Sequence, residues 1–362
     1  MIKSIQCYLY LLIWMNILFS CSHYTKQESS THTIQEPAKP IAASTLKYTS
    51  GVRAVLHDSQ GNYWIGSHQE GVCKFDGKTF TYFTMAEGLS DNQIRTIQED
   101  ANGVIWFGTG NGVSSYKEGH MHNHNIANPL AVLPSLVDGE WALSANDLWF
   151  NARNQSGVYR FDGELLNYLA FPMPTVDSLP NLYSVTGFSR PRADQLWIAT
   201  YGAVVGYNGD VFEIIYDKTI EATQPIAPMH IRSILEDSNG NLWIGNNGIG
   251  VLLKQQDSII NFSQQQGLVH PESTGQGDRS PAGTLEHVFV IAEDKEGNIW
   301  FGDRDTGAWM YDGTTMTNYL VDASLETPMV WDIYEDRTGN LLFSMADGGV
   351  YQFNGKGFDR KF

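Results

Sequence analysis

Cysteine is nearly absent from this chain, with 3 residues in 362, at positions 7, 21 and 73. Cys7 lies inside an apolar leader and Cys21 at its end, which leaves Cys73 alone and excludes an internal disulfide. Basic residues are scarce too: 23 Lys and Arg stand against 40 Asp and Glu, a formal charge of −17. Nucleic acid demands a basic surface, so it is not an expected partner. Beyond the leader no apolar run could span a bilayer, and no segment reads as a helical domain. Gly275-Gln276-Gly277 lacks the lysine and the strand-to-helix context of a phosphate loop. No Ser-His-Asp nucleophile elbow appears, and nothing in the chain calls for a cofactor.

Glycine and aromatics are plentiful, at 35 residues and 12%. They serve a repeat. Leu-Trp-Ile-Gly or a close variant recurs seven times, anchored at Trp64, Trp106, Trp149, Trp197, Trp243, Trp300 and, degraded, at Leu342. The spacings are 42, 43, 48, 46, 57 and 42 residues, and a period of about 40 to 45 with several strands per unit is that of propeller blades.

Around the anchors, five units share an alternating apolar run ending in aspartate: Val52 to Asp58, Ile94 to Asp100, Ile231 to Asp237, Val288 to Asp294 and Val330 to Asp336. Each reads as a strand. Glycine follows three residues after each aspartate, where a hairpin needs positive φ, and the aspartate can accept backbone N–H groups two or three residues on. A second glycine-led strand then closes in Asp-Gly or Asn-Gly, and an aromatic-rich fourth strand follows. The third and fourth units replace Asp-x-x-Gly with Ser144-Ala145-Asn146-Asp147 and Arg192-Ala193-Asp194-Gln195 but keep their Trp strands. The expected fold is therefore all-β, a seven-bladed β-propeller of four-stranded antiparallel blades over residues 46–362. How the ring closes is open, since Leu46-Lys47-Tyr48 and Phe358 to Phe362 compete for the outer place in the last blade.

Upstream, Lys3 precedes an apolar stretch from Ile5 to Phe19, the pattern of a signal peptide over residues 1–20. Leu18-Phe19-Ser20-Cys21 resembles the bacterial lipobox, which makes Cys21 the expected lipidation site and residues 21–45, rich in Ser, Thr, Gln and Pro, a flexible tether. The alternative is a plain secretory signal cut near Ser22. The expected location is extracytoplasmic, lipid-anchored to a bacterial membrane, on the periplasmic side of the outer membrane.

The run from Gly88 to Thr109 resembles the two-component regulator propeller repeat, and so do Ile231 to Gly245 and Val288 to Gly302. The resemblance is strong in five units and extends over the repeat region. It implies a propeller of the kind found in the extracytoplasmic sensor half of hybrid histidine kinases, which detect oligosaccharides. The sequence ends at Phe362 without a kinase, so the expectation is a free-standing binding or sensing module, not an enzyme, with an oligosaccharide or a protein as partner.

Loops that follow the Trp strands should share a face with the connections between units, including the long one from Ser263 to Thr284. On that face His68, Arg153, Tyr201, Asn246, Asn247, Asp303, Arg304 and Asp305 are the candidate ligand-binding residues, since polar groups beside aromatic planes suit sugars and peptides. The residues also leave two other functions open. A metal-dependent propeller lyase or hydrolase would need two axial histidines, for which His68 with His230 or His287 are candidates. An interaction scaffold would need no ligand. His120, His122 and His124 alternate on one expected strand, about 6 to 7 Å apart, which suits a solvated cluster better than one metal ion; no metal site is expected.

Overall fold

The computed structural model describes residues 40–124, 141–152, 155–171, 184–189, 194–220, 228–275 and 278–362. The leader, Cys21, the tether up to residue 39 and Arg153 lie outside the described residues. The fold is that of the compact unit Ala38–Phe362.

Seven antiparallel sheets follow one another along the chain. The first holds β1 (Ile41–Ala43), β2 (Val52–His57), β3 (Tyr63–Ser67), β4 (Val72–Phe75) and β5 (Phe80–Phe83). The second holds β6 (Ile94–Glu99), β7 (Ile105–Thr109), β8 (Gly112–Lys117) and β9 (His120–Asn123). In the third, β10 (Leu148–Asn151), β11 (Gly157–Phe161) and β12 (Leu166–Ala170) are described. The fourth is β13 (Val185–Phe188), β14 (Leu196–Thr200), β15 (Ala203–Tyr207) and β16 (Phe212–Tyr216). The fifth is β17 (Ile231–Glu236), β18 (Leu242–Asn246), β19 (Val251–Gln255) and β20 (Ser258–Asn261). The sixth is β21 (Val288–Glu293), β22 (Ile299–Asp303), β23 (Gly307–Tyr311) and β24 (Met316–Tyr319). The seventh is β25 (Val330–Glu335), β26 (Leu341–Met345), β27 (Val350–Phe353) and β28 (Phe358–Arg360). Adjacent inner strands pack side by side, β2 against β25 included, and the molecule is a seven-bladed β-propeller.

The repeat owes its sequence to the blade interfaces. Each of the seven apolar cores spans two neighbouring blades. Every anchor, from Trp64 to Trp300 and then Leu342, packs toward the following blade. The next residue points the other way, as strand alternation requires, so Phe107, Phe150, Phe301 and Phe343 pack on the blade before. Truncating such a buried tryptophan to alanine costs about 3–5 kcal/mol.

Ahead of four of the anchors, Trp64, Trp106, Trp243 and Trp300, an aspartate holds both the turn and the indole. Asp58 Oδ1 accepts the N–H groups of Gln60 and Asn62, while Oδ2 accepts Trp64 Nε1–H at 2.8 Å. Asp100, Asp237 and Asp294 repeat this with Trp106, Trp243 and Trp300. The glycines of these turns have φ of 76° to 83°, where a Cβ is strained.

Ring closure explains the degraded seventh unit. With leucine at 342, Asp336 has no indole to hold, and its Oδ2 instead accepts the hydroxyl of Tyr63 in blade 1 at 2.6 Å and Lys361 Nζ at 3.4 Å. Blade 7 further binds blade 1 through Asp332 Oδ2, which accepts Val55 N–H at 3.0 Å, and through Arg337 Nε, which donates to His57 O at 3.0 Å. Phe358–Arg360 takes the outer place in blade 7 by pairing with β27. Leu46 and Tyr48 pack instead in the core between blades 7 and 1. Ile41–Ala43 pairs with β5, so strand pairing begins ahead of the expected start at residue 46. The open edge of β5 offers backbone groups to any extended segment, which side-chain periodicity does not reveal.

Candidate functional site

All six inner strands described carry a β-bulge near their start. Opposite β3, Val52 pairs with Ser67 and Ala54 with Gly66, which leaves Arg53 as the extra residue. The same shift occurs around Arg95, Thr186, Arg232, Phe289 and Trp331. A bulge bends the strand and re-aims one side chain. Here the preceding aliphatic stays in the blade interface, with Val52, Ile94, Ile231, Val288 and Val330 wholly buried. The bulged residue lines a cavity of about 1000 Å³ to which all seven blades contribute.

Side chains beside the bulges, from the same blade or the next, leave no room for more than glycine in Trp-Ile-Gly. A Cβ on Gly66 would lie 2.4 Å from Ile94 Cγ2, on Gly108 2.4 Å from Thr96 Oγ1, and on Gly245 2.3 Å from Ser233 Oγ. In blade 4 the pair is inverted. Ala199 faces Gly187, so the missing side chain has moved to the inner strand.

Among the described residues, four that carry charge line the cavity, Arg53, Arg95, Arg232 and Asp332, beside His68, Tyr201, His230, Phe289 and Trp331. The Arg53 guanidinium lies 5.3 Å from the centre of the Trp331 ring. Arg232 lies 4.5 Å from the centre of the Phe289 ring, and its NH1 donates to Tyr201 OH at 3.0 Å. Burial, then the neighbouring charges of Arg95 and Arg232, lower the Arg53 pKa to about 10. Burial lowers Arg95 as well. His68 is held below the usual range by burial and then by Arg53 and Arg95; burial and then Arg232 do the same to His230. Both shifts favour the neutral imidazole. Asp332 is pushed up to about 7 by burial, against the hydrogen bonds from Val55 and Ile333.

Of the residues expected from the sequence, His68 and Tyr201 line this cavity. The loops after the Trp strands meet the starts of the inner strands, since His68 N–H donates to Gly51 O and Arg304 N–H to His287 O. Asn246, Asn247, Asp303, Arg304 and Asp305 do not line the cavity. Asn246 and Asp303 are fully buried, and Asp303 accepts the N–H groups of His287, Asp305 and Thr306. Asn247 bridges His230 and His287. Arg304 NH2 donates to Asp305 and to Asp278 O at 2.7 Å each, and Asp305 accepts Ser280 N–H. These side chains pin the long connection to the sixth blade. His287 is buried, with Nε2 2.6 Å from Asp278 O, so of the axial histidines His68 and His230 face the cavity.

The three histidines on and just after β9 divide. His120 and His122 are exposed, whereas His124 stacks on Trp106 and lies 2.8 Å from Ser115 Oγ. The ring of bulged residues lies outside the loops that carry the expected candidates. Its signal is the position after the first aliphatic of each inner strand, where three of the chain's 23 basic residues fall in register.

Residues 88–111, 225–248 and 284–305 match the family model for the two-component regulator propeller. Each matched segment holds one bulged residue, Arg95, Arg232 or Phe289. The fold is similar to the extracellular domain of a hybrid two-component system of B. thetaiotaomicron, at 21% identity and TM-score 0.59 over 86% of this chain and 39% of that one. A second such domain from the same organism gives 20% identity and TM-score 0.60 over 88% of this chain and 42% of the other. The chain thus spans about two fifths of those domains. It is also similar to virginiamycin B lyase of Staphylococcus aureus, at 14% identity and TM-score 0.59 over 87% of this chain and 98% of the lyase. No curated protein matches. Among the described residues no helix is long and apolar enough to cross a membrane. The chain is a seven-bladed propeller carrying two-component regulator propeller repeats.

Proposed function

We propose that this propeller is an extracytoplasmic binding and sensing module, without catalysis of its own, whose ligand enters the axial cavity. The observation that carries the reading is the set of bulges. Six blades each spend one unpaired residue on the cavity wall, and those residues range over Arg, Thr, Phe and Trp while the packing positions beside them stay aliphatic. A lipid on Cys21 would hold the module at a membrane, in a setting like that of the two-component extracellular domains it resembles.

The reading is tested by a glycan, peptide and metabolite screen on the full-length chain and on Thr186→Trp. Thr186 is the smallest of the six bulged residues, and tryptophan there fills part of the cavity. A ligand whose binding is lost in the variant supports the reading. Equal binding to both proteins places the ligand elsewhere and removes the cavity from consideration. Membrane attachment is checked separately: Cys21→Ala should move the protein from the membrane to the soluble fraction.

A second reading, a lyase, draws on His68 and His230 lining one cavity and on the structural similarity to virginiamycin B lyase. Turnover abolished by His230→Ala would establish it in place of the first.

A further inference from the structure

We propose that the axial cavity takes a small organic anion. One carboxylate, sulfate or phosphate group would be held by Arg53, Arg95 and Arg232, and a flat apolar or ring face would lie against Trp331, Phe289 and Tyr201. The proposal rests on the cavity being the ligand site and adds the chemistry of the ligand.

The charge at the axis runs against the molecule. A chain of formal charge −17 gathers three arginines at one repeat position around a single cavity. They lie close enough for Arg95 and Arg232 both to depress Arg53. Elsewhere Arg160, Arg304 and Arg337 each pair with a carboxylate, Asp147, Asp305 and Glu99 respectively. Arg53, Arg95 and Arg232 form no ion pair among the described residues. The carboxylate that lines the cavity, Asp332, accepts Val55 N–H, and Asp91, the carboxylate felt by Arg95, accepts Gln93 N–H. Three partly buried like charges without a counterion cost free energy that an incoming anion returns.

The side chains are also arranged for this use. Guanidinium forks match the oxygens of carboxylate, sulfate and phosphate, and Arg53 and Arg232 rest on the Trp331 and Phe289 rings, which limits their freedom before a ligand arrives. A cavity of about 1000 Å³ fits one small molecule. A long polyanion would have to approach a surface of its own sign.

Calorimetry on the full-length chain with five probes tests the proposal: D-glucuronate, benzoate, sulfate, D-glucose and benzyl alcohol. Glucuronate or benzoate should bind saturably, at least tenfold tighter than its neutral counterpart, with sulfate weaker. Arg95→Gln and Arg232→Gln should each weaken that binding about tenfold or more, while Arg95→Lys retains part of it, in proteins whose urea midpoints match the parent. A preference for glucuronate points to an acidic sugar and one for benzoate to an aromatic acid. Sulfate binding as tightly as either acid, no saturable binding of either acid, or arginine variants that bind both acids unchanged would overturn the proposal. Glucose binding as well as glucuronate would overturn it too, yet if Thr186→Trp abolished that binding the cavity would stand as the ligand site.

Discussion

Tyr63→Phe removes one oxygen from the seam where the ring closes, and the cost can be worked from the structure. The hydroxyl donates to Asp336 Oδ2 at 2.6 Å across the join between blades 1 and 7. Burial pushes the Asp336 carboxyl up, and hydrogen bonds from Thr338, Tyr63 and Asn340 more than offset it, leaving the group well below the usual carboxylate range. A hydrogen bond to a charged acceptor contributes about 1.5–3 kcal/mol. Since Tyr63 is only half-buried, about 2 kcal/mol is expected, or roughly 4 °C in Tm for a domain of this size. The folded carboxyl lies below its unfolded value, so the stabilisation is full at neutral pH and is lost only as pH falls well below about 4. Tyr311→Phe is the control, because that hydroxyl donates to Gly313 O within its own hairpin, and it should cost less than about 1 kcal/mol. Urea unfolding at pH 7 of both variants, repeated in an Asp336→Asn background, measures the coupling. A loss under about 0.5 kcal/mol, one equal to the control, or one undiminished when the carboxylate at 336 has been replaced would refute the closure role.

Other outcomes follow from the same contacts. Gly245→Ala should destabilise by about 1–3 kcal/mol, because its Cβ meets Ser233 Oγ at 2.3 Å, whereas Gly187→Ala, with no atom nearer than 4.0 Å, should stay within about 0.5 kcal/mol in thermal melts. Asp332→Asn should leave stability unchanged near pH 4 and raise it as pH rises to 8. Its carboxyl, at about 7 in the fold against 3.8 unperturbed, binds a proton more tightly folded than unfolded, so wild-type stability falls through that window by up to about 4 kcal/mol; parallel pH titrations of urea midpoints measure the difference. Arg304→Ala should free the connection at Asp278, speeding limited proteolysis there, while affinity for an axial ligand changes less than twofold.

Most of the architecture was legible because packing repeats. Trp64 and its successors recur for one reason, the wedge into the next blade, and a periodic cause leaves a periodic trace. The seventh anchor looked like decay of that pattern, but Leu342 and Tyr63 are paired exceptions. Where Asp336 lacks an indole, blade 1 supplies a tyrosine at a position that is leucine or isoleucine in the other blades. That coupling spans almost the whole chain, and no local window contains both partners. The candidate site was less legible. Asn247, Arg304 and Asp305 share the expected face, but solvated turns and pinned turns use the same residue types, and only the contacts of Asp278 and Ser280 separate them. The bulges were hidden for a simpler reason, since a single extra residue leaves apolar alternation intact on either side of it.

The bulge also says where variation can enter this fold without loss of stability. In each described inner strand the aliphatic before the bulge is committed to a blade interface; in blades 1, 2, 5 and 6 the residue after it faces a glycine without room for a Cβ, in blade 4 Gly187 has given up its own, and in blade 7 Asp332 faces Ser344. The bulged residue lines the cavity instead. Its replacement changes the cavity and leaves the interfaces as they were, so a propeller of this type can alter its axial chemistry one blade at a time. In this chain that position reads Arg, Arg, Thr, Arg, Phe and Trp across the six described inner strands. Three of these are arginines and two are aromatic, and the arginines, which form no ion pair among the described residues, give the cavity a sign opposite to that of the protein around it.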